Sequence, residues 1–335
     1  MVYPVFYLIE NFVDFKQLKE GYEEFRNYPF NLERGIEMKR KKLILCFIGA
    51  VLLMTGCGGT DKNVSPSETE QISSETVEEA SLPAYSNLAD EQVREQFETE
   101  LIQAGAVETD AQKSMSIVKE YNDTIQSTSL VKEGYASFDM TMPEYDIDAI
   151  QDSWMKKNPD FIGYNCRITA FGLMKDLISV QDTGERNTEY LFLDEAALDA
   201  GELFTAEERE KFETVFSEIK TDASTDTKEQ IGVQREYWKK AGVTFEDDSK
   251  LSLITVYLHS HIDENENSLI AGHAGVLLDT GNEILFFEKI SFELPYQLIR
   301  FEDRDQLKEY LMRCYDVDTT GECASPFILE NDRVL

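Results

Sequence analysis

The stretch LSLITVYLHSHIDENENSLIAGHAGVLLDTGNEILFFEKI, residues 251–290, decides what kind of fold this chain adopts. Three runs rich in Val, Ile, Leu and Phe, at 251–262, 269–278 and 283–290, are separated by DENEN and DTGN. Branched and aromatic side chains suit a pleated surface, and clusters of Asp, Asn and Gly suit the turns between strands. The stretch therefore reads as an antiparallel meander.

Upstream the pattern changes from strand to helix. DEQVREQFETELIQAG, DAQKSMSIVKEYNDTIQ and DIDAIQDSWMKKNPD place apolar residues three and four apart, with Asp90 and Asp110 as caps. Gly105 stops the first, and Asn158-Pro159 ends the third. A fourth helix, over 165–179, lies in GYNCRITAFGLMKDLI and carries Cys166. DEAALDAG and TAEEREKFETVFSEI follow, with Thr205 and Glu208 spaced as a capping box, and then VQREYWKKAG. The fold class is α+β: N-terminal helices, then a buried cysteine helix packed on an antiparallel meander.

The N-terminal third divides differently. MKRKKLILCFIGAVLLMTGC, starting at Met38, has a basic head, an apolar run and a small-residue site ending at Cys57. The run is too short for a membrane span, which takes about 20 residues. Leu53-Met54-Thr55-Gly56-Cys57 resembles a bacterial lipobox, with Met54 where Leu is usual, and this implies lipid on the Cys57 thiol. A signal works at a true N-terminus, and Arg34-Gly35 can be encoded by a purine run like a ribosome-binding site. Residues 1–37 are therefore expected to be a mis-assigned upstream extension and 38–56 a lipoprotein signal peptide. Residues 57–83, rich in Ser, Thr and Glu, cannot bury enough apolar surface to offset chain entropy and read as a disordered tether. A single α+β domain covers 84–335, its pattern of elements running to about Asp318.

The net charge of -33 repels phosphate backbones, so nucleic acid is excluded as a partner. The expected address is the outer face of the cell membrane of a Gram-positive bacterium, held by lipid on Cys57.

Once Cys46 leaves with the signal and Cys57 takes lipid, Cys166, Cys314 and Cys323 remain. Leu307, Tyr310, Leu311 and Cys314 share one helical face, which makes Cys314 a core residue; a bond from it to Cys323 stays open. Asn165 is a suitable N-cap, and a first-turn cysteine meets unpaired N–H groups and the helix dipole, which favour a thiolate. Against that, Cys166, Ala170, Leu173 and Leu177 form an apolar stripe in which the thiol could be mere packing.

A base tilts the balance. His273 stands between small residues on a strand, and imidazole is the usual proton acceptor for a cysteine. If Thr280-Gly281 is a two-residue hairpin loop, Asp279 faces Asn282 and the count places His273 opposite Glu288. Opposed side chains share a face, so Glu288 could orient the imidazole. Cys166, His273 and Glu288 are the candidate catalytic residues, with Asn165, Tyr257 and Tyr296 as candidate supporting residues. No cofactor and no metal belong to this reading.

A cysteine at a helix start, a histidine on a strand and a polar orienter on the next strand resemble the papain-like cysteine hydrolases. That resemblance implies a peptidase, or an amidase acting on cell-wall peptides. The chain departs from it in having no clear upstream Gln as oxyanion donor and in using Glu for the usual Asn or Asp. YSNLAD, FIGYNCRITAF, GHAGVLL and FFEKISFELPYQLIRF resemble an uncharacterised lipoprotein family of Gram-positive bacteria, domain of unknown function 4300. It implies an exported, lipid-anchored protein without an established activity.

Two other readings compete. His259 and His261 project from one face of a strand and, with His273 or Asp263, could hold a metal. A binding module would instead present SFELPYQ and its Tyr296 as a contact surface, with Cys166 simply buried.

Overall fold

The computed structural model describes residues 82–263 and 266–335; the readings of residues 1–81, Cys57 among them, lie outside these. The described chain opens with β1 (Ala84–Ser86), α1 (Glu91–Ala104) and α2 (Glu108–Thr124). Asp90 caps α1 by accepting from the Gln92 amide, and Gly105 closes it with a φ of 114°. Asp110 does not cap α2, which Val107 precedes without a side-chain bond; it stands in the first turn, where a carboxylate still suits the dipole.

Next come β2 (Ala136–Ser137), α3 (Ile147–Lys157) and α4 (Cys166–Met174), the cysteine helix. α4 is shorter than the expected 165–179, because the chain leaves helix at Lys175 and enters β3 (Ile178–Ser179). A 3-10 turn (Glu189–Leu191) and α5 (Phe192–Gly201) follow, then α6 (Ala206–Val215), β4 (Ile219–Lys220), α7 (Thr227–Ala241) and β5 (Thr244–Phe245). The Thr205–Glu208 capping box is present on α6.

The meander is β6 (Leu251–Asp263), β7 (Glu266–Asp279), β8 (Ile284–Lys289) and β9 (Tyr296–Phe301). α8 (Arg304–Tyr315), β10 (Phe327–Glu330) and β11 (Arg333–Val334) complete the chain. The strands order as β11-β10-β6-β7-β8-β9-β1-β2 with β4 also on β7, while β3 and β5 pair separately. With eight helices among the described residues beside this antiparallel sheet, the protein is mixed α+β. The pattern continues past Asp318, since β10 pairs along β6. No helix among the described residues is long and apolar enough to cross a membrane.

Both faces of the meander are covered, and β8 is buried along its whole length. Ala274, Val276, Leu285 and Phe287 join the core that contains α4, whereas Tyr310 and Tyr315 of α8 cover the face carrying Phe286 and Glu288. At nine residues, α4 is marginal by itself. Its Ile168, Phe171 and Leu173 are almost wholly buried, each contributing roughly 1.5–3 kcal/mol.

Two irregularities of β7 prepare the site. β6 runs along one edge of β7; on the other edge β4 pairs at Ser268 and Leu269 and β8 only from Val276 onward. The stretch between, which holds His273, has no strand beside it on that edge among the described residues. Within it Val256 pairs with His273 but Tyr257 with Ala271, which makes Gly272 a β-bulge. A bulge re-aims the side chains next to it, and here the next one is His273. A Cβ on Gly272 would come within 2.3 Å of Leu258, so the bulge also depends on the absence of a side chain.

The register of the hairpin differs from expectation. Asp279 faces Ile284, not Asn282, and Thr280 closes on Glu283 through its amide at 3.1 Å and its hydroxyl at 2.9 Å. The two-residue loop is Gly281-Asn282, one residue later than the count assumed, so the left-handed Gly281, at a φ of 88°, takes the first loop position and not the second.

Candidate functional site

Cys166 begins α4, and its neighbours hold it there. Asn165 accepts from the Ile168 amide at 3.0 Å, the cap its sequence position implied, and donates to Asp194 at 2.8 Å. The sulfur thus sits at the positive end of a capped helix, where a thiolate is favoured.

His273 meets Cys166 from β7. Its Nε2 lies 2.6 Å from Glu288 Oε2, and the Tyr310 hydroxyl donates to the other carboxylate oxygen at 2.7 Å. Tyr315 stacks on the imidazole with ring centroids 5.0 Å apart. The imidazole lies close enough to the thiol for each group to shift the other's pKa. With Nε2 taken by the carboxylate, Nδ1 is the nitrogen left for sulfur. The structure therefore places His273 between Glu288, which it contacts, and Cys166, whose pKa it shifts, and the relation of His273 to Glu288 is diagonal, not directly opposed.

The charges follow from this geometry. Burial pushes the Cys166 thiol up, but the neighbouring His273 brings it below its ordinary value. For His273, burial pushes down while Cys166 and Glu288 push up harder, lifting it to about 9. Both directions favour a thiolate beside an imidazolium. Cys314 is the contrast: burial and the Glu288 charge raise its thiol to about 12. The pair is enclosed, with Cys166 only 6% exposed and His273 and Glu288 1% each.

The other expectations fare unevenly. Tyr296 is buried at 2% exposure and stacks on Phe287, so SFELPYQ does not offer it as a contact surface. Tyr257 is engaged elsewhere, stacked on Phe327 at 5.3 Å with its hydroxyl accepting from Gln234 at 3.3 Å. His259 is spent on structure: Nε2 donates to the Asp222 carbonyl at 3.0 Å, and Nδ1 accepts from the Ala324 amide at 2.9 Å. His261 bonds Asn267, and among the described residues no group of three His, Cys, Asp or Glu side chains could hold a metal. Cys314 and Cys323 are both free thiols.

Sequence reasoning missed several residues around the thiol. The half-buried Arg167 and the fully buried Asp194 form an ion pair at 2.6 Å beside it. Tyr310 and Tyr315 belong to a helix that sequence reading linked only to Cys314. Lys289 is buried next to Glu288 on β8, its ammonium 3.8 Å from the Tyr121 ring and bonded to the Leu294 carbonyl; burial pulls its pKa well below the ordinary value. A cleft runs along α4, between Tyr164, Thr169, Phe204 and Tyr296 among others. Neither Cys166 nor His273 lines it, although Tyr164 and Ile168, two residues to either side of Cys166, do.

A capped first-turn cysteine, an imidazole and a carboxylate on an α+β scaffold define a protein with a buried Cys–His–Glu constellation. A family model described as a domain of unknown function, DUF4300, matches residues 84–335, and the chain belongs to this family. No curated protein and no solved structure matches it.

Proposed function

We propose that the protein is a papain-like cysteine hydrolase, a peptidase or an amidase of cell-wall peptides, tethered outside the cell by lipid on Cys57. The observation that carries this reading is His273 held between the Cys166 thiol and the Glu288 carboxylate. The chemistry is acyl transfer. The thiolate attacks the carbonyl carbon of an amide, and the electron pair moves to oxygen. When that oxyanion collapses, the C–N bond breaks and imidazolium gives its proton to the leaving amine. Neutral imidazole then takes a proton from water, whose oxygen displaces the thioester sulfur, releasing the acid and restoring the pair. Glu288 keeps Nε2 protonated and the ring aimed throughout. The lipid anchor rests on the signal-like residues 38–57 alone.

The burial of the sulfur favours a second reading, a non-catalytic binding lipoprotein in which the same three groups only stabilise the core. Labelling with a broad activity-based cysteine-hydrolase probe separates the two. Labelling at Cys166 that His273→Ala abolishes supports the hydrolase; an inert Cys166 in folded protein supports the binding reading. Intact mass of membrane-extracted protein tests the anchor, which requires diacylglycerol on Cys57 and loss of residues 1–56.

A further inference from the structure

The proposed reaction makes no use of the Asp194–Arg167 pair, although Arg167 is the residue directly after the nucleophile. Asp194 is fully buried on α5. Its carboxylate accepts from Asn165 Nδ2 at 2.8 Å, from Arg167 Nε at 3.0 Å and from Arg167 Nη2 at 2.6 Å. Asn165 and Arg167 are the residues on either side of Cys166. The remaining arm of the guanidinium, Nη1, donates to the Ala271 carbonyl at 2.9 Å, next to the Gly272 bulge and two residues before His273. One carboxylate thus grips the cysteine helix at both flanks, and one guanidinium extends that grip to the strand carrying the base.

We propose that Asp194 and Arg167 are positioning residues that fix the Cys166 thiol and the His273 imidazole relative to each other. The assignment deepens the hydrolase reading and takes that reading's Cys–His pair as its object. Stability alone explains the arrangement poorly, because taking the Asp194 carboxylate fully out of water is costly even when it is paired. Charge alone explains it no better: Arg167 draws the thiol's pKa down while Asp194 pushes it up, so the two oppose each other at the sulfur. What the pair supplies is direction. A guanidinium held by two parallel bonds cannot swivel, and its third arm then has one place to reach.

The test uses the full-length protein with Arg167→Lys, which keeps the charge and loses the fork, and Asp194→Asn, which keeps the shape and loses the charge. Two reagents read Cys166 by mass spectrometry. Iodoacetamide needs only a thiolate, so the pH at which alkylation sets in reports whether imidazole still faces sulfur. A peptide vinyl sulfone needs the thiolate and also a proton from the imidazolium. In a folded variant the iodoacetamide onset should move up by about one pH unit or more, a tenfold loss of thiolate at a given acidic pH. Vinyl sulfone labelling should fall further than iodoacetamide alkylation at the same pH.

An unchanged onset in either folded variant overturns the assignment, and so does failure of both variants to fold, which makes the pair purely structural. A wild type inert to vinyl sulfone whose onset still shifts in the variants refutes the hydrolase reading while the positioning role stands.

Discussion

Replacing Glu288 with Gln removes one charge from the centre of the constellation while keeping its shape. In the wild type, the 2.6 Å contact from Glu288 to His273 Nε2 helps lift the imidazole to about 9, against burial that pushes it down. A hydrogen bond to a charged partner is worth roughly 1.5–3 kcal/mol, and one pH unit corresponds to about 1.4 kcal/mol. Glu288→Gln should therefore lower the His273 midpoint by about one to two pH units. Nitrogen-15 NMR of labelled histidine reads this directly, since the chain has only three histidines. His259 serves as an internal control: burial holds it below its ordinary value, and it bonds Asp222 and Ala324, not Glu288. The stability profile gives a second readout. His273 has a folded pKa above its ordinary 6.5, so its contribution is complete below 6.5 and is lost as pH rises through about 9. Cys166 has a folded pKa below its ordinary 9.0, so its contribution is complete above 9.0 and is lost as pH falls. Glu288→Gln should shorten the histidine limb from its alkaline end. A His273 midpoint that stays put, or rises, would refute the claim that the carboxylate stabilises the imidazolium.

Cys166 should alkylate at least tenfold faster than Cys314 at pH 6, because its thiol is lowered and that of Cys314 stands at about 12; equal slow modification in the native state contradicts this. Gly275→Ala would bring a Cβ to 2.4 Å from the Phe286 ring and 2.9 Å from the Phe287 carbonyl, prising β8 from β7. It should cost roughly 1–3 kcal/mol in urea unfolding and slow Cys166 labelling, and a loss below about 0.5 kcal/mol would show that the strands are not so closely packed there.

The sequence made the long strands legible because Val, Ile, Leu and Phe cluster between obvious turns. The short ones, such as β1, β4 and β10, carry too few residues to show a period, and their pairing is set by the partners they meet. The hairpin count went wrong by one residue of loop, which displaces the register by two. A displacement of one would have put His273 and Glu288 on opposite faces; a displacement of two keeps them on the same face as diagonal neighbours. Diagonal Cβ atoms lie at most about 7–8 Å apart, a gap that an imidazole and a glutamate span together. The pairing survived because the period of a strand is two. Asp194 had no comparable signal: in LDEAAL it looks like any acidic residue near the start of a helix, and its burial depends on Arg167 arriving from another element.

Hydrogen-bond accounting gives the enclosed ring a definite polarity. An imidazole has two nitrogens, and Tyr315 lies flat against the ring, 20° from parallel, where it covers the face without competing for either. Glu288 accepts from Nε2 and is itself held by the Tyr310 hydroxyl, so the carboxylate has little reason to turn away. A ring whose Nε2–H is fixed in this way keeps the lone pair of its neutral form on Nδ1, the nitrogen left for Cys166. Enclosure strengthens each of these contacts, because a low local dielectric raises the attraction between thiolate and imidazolium. The same enclosure shuts out an amide carbonyl while Cys166 remains 6% exposed. Catalysis on this scaffold therefore requires a movement that uncovers sulfur while leaving the Tyr310–Glu288–His273 chain intact, which places the moving part away from the first turns of α8 and the end of β8.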